Sequence, residues 1–90
     1  MTIEKILDDR GKRYGNYLKQ TEISRSIRAV IDRGLPVQAI LSPDQDDALT
    51  MIAVKISRIV NGDPDYSDNW RDIAGYATLV ADRLDGKERT

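Results

Sequence analysis

The stretch SPDQDDALTMIAVKISRIVNG, Ser42 to Gly62, decides the fold. Its opening places Ser42 at an N-cap, Pro43 at the first helical position, Asp44 next and Gln45 third, the arrangement of a capping box. Leu49, Ile52, Ala53, Ile56, Ile59 and Val60 then recur at helical spacing. Asn61-Gly62 supplies the stop, because glycine tolerates the backbone that ends a helix. The spacing predicts a helix over 43–60.

The same signals repeat on both sides. Downstream, the loop GDPDYS leads to a cap at Ser67 or Asp68 and a helix over 68–84. Trp70, Ile73, Ala77, Val80, Ala81 and Leu84 are its expected inner face, with Trp70 in the core. A short loop between two helices predicts an antiparallel C-terminal hairpin. Upstream, Leu18, Ile23, Ile27, Val30 and Ile31 mark a helix over 17–33 that stops at Gly34. The connection from Leu35 to Leu41 contains Pro36 and has room for one helical turn. Thr2 caps a first helix over 3–10, with Ile3, Ile6 and Leu7 as its apolar face and Gly11 just past its end. Residues 87–90 read as a frayed tail. No segment alternates apolar and polar residues long enough for a sheet. The expectation is all-α: one domain over 1–90, a small bundle of three to four helices.

Composition narrows the chemistry. The 90 residues contain no Cys and no His, which removes zinc fingers, disulfide scaffolds, Cys nucleophiles and His-based triads. Acid–base work would fall to Asp, Glu, Lys or Tyr, and any metal would be a hard, oxygen-liganded ion. A net charge of −1 argues against general nucleic-acid binding. The N-terminal MTIEKILDDRGKRYG lacks the apolar run of a signal peptide, and no stretch is long and apolar enough to span a membrane. The expectation is a soluble cytoplasmic protein. A chain this short builds a modest core, which predicts a homo-oligomer, a dimer or an assembly built from dimers.

Charge is unevenly spread. Between Arg10 and Arg33 lie seven basic residues against two acidic, and between Asp44 and Asp72 seven acidic against three basic. A bipolar molecule can hold a small anion at one end. Equally, its halves can attract each other within the fold or across an oligomer.

Three constellations can carry chemistry. The first is GKRYG, Gly11 to Gly15, read as a glycine-bounded loop that presents Lys12, Arg13 and Tyr14 before a helix start. This makes a phosphate seat, or merely a capped turn with solvated charges. The second pairs Lys55 and Arg58, three apart on one helix, with Asn69, Asp72 and Tyr76 on the next. The cations would hold phosphate while the others orient a base, sugar or metal; the alternative is a network of inter-helix ion pairs. The third is the set of Tyr14, Tyr17 and Tyr66 beside cations, which suits base stacking.

RGKRYG, then MIAVKISRIVNGDPDYSDNWRDIAGYATLVADRL, resembles a family of small phage and prophage proteins of unassigned function, related in pattern to phage nucleotide-modification-associated domains. The matching positions are Arg10, Tyr14-Gly15, Met51, Lys55, Arg58, the GDPDY loop, Asn69-Trp70 and Asp72 to Ala77. More remotely, the last two helices are similar in layout to MazG-type all-α nucleoside triphosphate pyrophosphohydrolases. That resemblance implies a nucleotide-shaped pocket, but the glutamates that hold magnesium there are replaced around Lys55 and Arg58. The leading expectation is a phage-encoded protein that binds a nucleotide or cyclic oligonucleotide without a cofactor, sequestering a host immune signal. The alternatives are a magnesium-dependent pyrophosphohydrolase, with Asp68, Asp72 and Asp65 as ligands, and a protein-interaction module without a small ligand.

Overall fold

Each capped amphipathic segment becomes one helix. The computed structural model describes residues 2–87, and α1 (Ile3–Tyr14), α2 (Tyr17–Gly34), α3 (Pro43–Asn61) and α4 (Ser67–Leu84) follow in chain order. No strand occurs among the described residues. The capping box at the start of α3 forms, with Gln45 Oε1 accepting the Ser42 N–H at 3.0 Å. Thr2 caps α1 through the Lys5 N–H at 3.2 Å.

Helix α3 is the middle of the molecule. It packs α2 on one side and α4 on the other, while α2 and α4 make no contact with each other. Both pairs are antiparallel. Gln20 Nε2 donates to Ser57 Oγ at 3.2 Å, and Arg28 reaches Asp46 and Thr50 at the other end. Lys55 pairs with Asp72 at 3.0 Å, and Arg83 pairs with Asp44 at 2.7 Å. The antiparallel C-terminal hairpin is therefore present, set within a flat three-helix layer.

The layer has little apolar interior. Among the described residues, the buried apolar side chains are Ala48, Ala53 and Ile59, and the buried polar ones are Gln20, Ser24, Lys55, Ser57 and Asn69. At 100° per residue, the two seams of α3 fall near Ser57 and near Ala48 and Lys55. That leaves α3 two free flanks. One carries Leu49, Ile56 and Val60. The contacts at Gln20 and Asp72 fix how the outer helices are turned, and they bring Val30 of α2 and Trp70, Ala77 and Leu84 of α4 to the same side. Ile56, Val60, Val30, Trp70 and Leu84 are all exposed there. The opposite flank carries Arg58, Met51 and Asp47, and α1 approaches on that side.

Four sequence expectations change. Gly11 does not end α1; the helix runs on to Tyr14, and Gly15 ends it at φ 79°, its N–H bonded to the Gly11 carbonyl at 2.9 Å. GKRYG is thus the last helical turn and not a loop. Trp70 is 55% exposed rather than in the core. The inner line of α4 is Asn69, Ile73, Tyr76, Val80 and Arg83, and Trp70 lies to one side of it with its Nε1 donating to the Pro64 carbonyl at 2.9 Å. The residue at the N-cap of α4 is Tyr66. The 35–41 connection forms a turn closed by the Ala39 N–H on the Pro36 carbonyl, with Val37 and Ile40 almost fully exposed. Of the expected tail, 88–90 lie outside the described residues.

Candidate functional site

Two inter-helix connections cross at one end of the molecule. The Asp63 N–H donates to the Arg13 carbonyl at 2.7 Å. Asn61 Nδ2 donates to the carbonyls of Tyr14 and Asn16, both at 2.9 Å. The backbones meet so closely that a Cβ on Gly62 would overlap the Arg13 carbonyl, and one on Gly15 would overlap the Asn61 carbonyl. Glycine at both positions is what permits the crossing. It fixes Tyr14 over the last turns of α3.

A stack of cations and aromatics results. The Arg58 guanidinium lies 4.4 Å from the Tyr14 ring centroid. Tyr14 meets Tyr66 edge-on, centroids 6.4 Å apart at 61°, and Arg13 lies 4.7 Å from the Tyr66 ring. Each cation is held by the negative face of a ring. The Tyr66 hydroxyl donates to Asp68 Oδ2 at 2.9 Å, and that hydrogen bond raises its pKa above the ordinary tyrosine value.

Arg58 stands out within this stack. It is half-buried, its Nε is screened from solvent with no acceptor, and among the described residues its side chain forms no hydrogen bond or ion pair. Leaving a charged donor buried and unpaired costs several times more than a missing surface contact. The neighbouring cleft, about 440 Å³, is lined by Leu7, Arg10, Gly11, Tyr14, Gly15, Tyr17, Gln20 and Arg58. Two guanidinium groups, two phenol rings and an amide thus face one space of small-ligand size.

The expected site residues separate into three places. Tyr14 and Arg58 share the cleft. Lys12 and Arg13 sit on the last turn of α1, Arg13 engaged with Tyr66. Lys55 is buried against α4 and paired with Asp72, and Asn69 is fully buried with its Nδ2 lacking an acceptor. Tyr76 lines a different cleft with Asp44 and Arg83. In that cleft Arg83 Nε and Nη2 donate to Asp44 at 2.9 and 2.7 Å, and this pairing, aided by Ser42, holds the Asp44 carboxyl well below the usual range. Tyr17, expected beside the cations as a stacking ring, lines the same cleft, and the residues that sequence reasoning left out of the site are Arg10, Gln20 and Asn61. Arg10 precedes Tyr14 by four, which becomes a shared helix face once α1 continues through Gly11.

The carboxylates do not converge on a metal site. Asp72 is taken by Lys55, and Asp68 by Tyr66 and by Arg71 at 3.2 Å. No group of three or more carboxylates with metal-binding geometry occurs among the described residues. The donors that a magnesium ion requires are not assembled around Asp65, Asp68 and Asp72. No helix among the described residues is long and apolar enough to cross a membrane.

A family model described as a domain of unknown function, DUF6378, matches residues 2–84. No curated protein and no solved structure matches the chain.

Proposed function

The chain belongs to the DUF6378 family, and we propose that this member binds a phosphate-bearing nucleotide or cyclic oligonucleotide in the cleft between α1, α2 and Arg58. One observation carries the reading: a half-buried guanidinium, stacked on Tyr14, with a screened N–H and no acceptor of its own. An anionic oxygen is the partner that such a group lacks. Arg10 brings a second positive charge to the same space, and Tyr17, 77% exposed, offers a ring face for a base. Lys55 and Asp72 serve here as the ion pair that sets α4 against α3, beside the site rather than in it.

The test is a thermal-shift and calorimetric titration with mononucleotides, cyclic dinucleotides and cyclic trinucleotides, with and without magnesium. The expected result is stabilisation by at least one of them without the metal, since a ligand selective for the folded state raises the melting temperature. Arg58→Lys keeps the charge but loses the planar fork, and is expected to weaken binding at least about tenfold. If no nucleotide stabilises the parent chain, or if Arg58→Lys binds as the parent does, the reading fails. Turnover that requires magnesium would instead support the pyrophosphohydrolase alternative.

A further inference from the structure

We propose that a second copy of this chain covers the apolar flank of the α2–α3–α4 layer, so that two three-helix layers face each other in a dimer. The inference stands apart from the nucleotide reading, since this flank lies opposite Arg58 and its cleft.

Surface area supplies the first argument. The chain exposes 6657 Å², whereas a folded monomer of 10.2 kDa exposes about 5,300 Å². The excess, about 1,300 Å², exceeds the roughly 800 Å² per partner that a stable complex buries, and reaches the range of obligate homodimers. The radius of gyration agrees: 15.1 Å against about 12 Å for a closed domain of this length.

Chemistry supplies the second. Val30 of α2, Ile56 and Val60 of α3, and Trp70 and Leu84 of α4 expose between 36% and 66% of their surface. On the helical wheels of α3 and α4 no charged residue falls among them, and on α2 the exposed Lys19 lies at the rim beside Val30. The cations and carboxylates of α3 and α4 lie in the seams, on the opposite flank or, as Arg71 does, on the outer edge of α4; Lys55–Asp72 and Asp44–Arg83 are in the seam. An uncharged apolar centre with polar residues displaced to the rim is the anatomy of a homodimer interface.

The third argument selects the occupant. Among the described residues, three buried apolar side chains, two of them alanine, are too few to hold four helices together. The covering partner must therefore be present whenever the chain folds, and a second copy always is. A flat apolar flank pairs with itself about a two-fold axis without requiring a complementary shape.

The experiment joins the mass of the intact chain to a probe of the flank. Multi-angle light scattering at micromolar concentration is expected to give about 20 kDa, or an even multiple of the 10.2 kDa chain. The chain has no cysteine, so single-cysteine variants report locally. Val60→Cys keeps nearly the same volume on the flank, and Glu22→Cys lies on the exposed outer side of α2. Thiol labelling at Val60→Cys is expected to be at least about tenfold slower than at Glu22→Cys, because it waits on separation of the layers. A mass near 10 kDa with helical circular dichroism intact overturns the proposal. So does equal labelling at the two positions, which would place any association on another face.

Discussion

At the scale of single residues, two positions on one helix turn decide the site. Lys55 and Arg58 are three apart and share a broad face, yet they differ by 60° around the axis. That is enough to seat Lys55 against Asp72 and turn Arg58 toward Tyr14. The spacing alone shows that both cations flank the apolar stripe; the contact of Arg58 with Tyr14 depends also on where α1 ends. Asp44 shows residue chemistry with a measurable consequence. Its folded-state pKa is depressed by Arg83 and Ser42, so Asp44 stays charged at a pH where the unfolded chain, with an aspartate near 3.9, takes up a proton. The stabilisation is complete well above pH 4 and is lost as pH falls through and below it. Melting curves between pH 7 and pH 3 are expected to show the parent more stable than Asp44→Asn at neutral pH, with the gap closing on acidification. A gap that is unchanged across that range contradicts the assignment.

At the scale of elements, α3 is fully legible and α1 is not. Ser42, Pro43, Gln45, Asn61 and Gly62 are local signals, and they place both ends of α3 within one residue. Gly11 is equally a local signal, and there it misleads. Helix interiors disfavour glycine by roughly 1 kcal/mol against alanine, but docking of Tyr14 and Arg13 on the α3–α4 connection outweighs that cost. Nothing around Gly11 opposes a side chain, since a Cβ there meets no atom within 4 Å. Gly11→Ala is therefore expected to raise stability by roughly 0.5–1 kcal/mol, measured by urea unfolding. Gly15→Ala is expected to lower it by more than that, because it combines a left-handed backbone angle with overlap on Asn61. If both substitutions act alike, the position of the helix end is wrong. Gly11 also lines the cleft, so the same Gly11→Ala protein shows whether a bound ligand rests against that backbone.

At the scale of the whole molecule, periodicity gives the stripes but not their partners. Trp70, Ala77 and Leu84 carry the spacing expected of an inner face, and α4 does present them together. The pattern cannot say that α4 turns a neighbouring stripe, through Asn69, Ile73, Tyr76 and Val80, toward α3. A residue buried between two chains and one buried within a chain leave the same mark in a sequence. The expectation of a small core was within reach of composition; which apolar side chains stay exposed together on one flank needed the layer.

Trp70 is the one tryptophan of the chain, and it lies on that flank. If two layers associate as proposed, it is an optical reporter of a folding step that backbone signals do not see. Contacts in the layer join helices adjacent in the chain, a local topology that forms quickly. Association of two layers is a collision and slows as protein is diluted. In stopped-flow refolding, far-ultraviolet ellipticity is expected to recover in a phase independent of protein concentration. A blue shift of Trp70 emission follows, with a rate that rises in proportion to concentration. Emission and ellipticity recovering together at every dilution would mean that Trp70 reaches its final environment without a second chain.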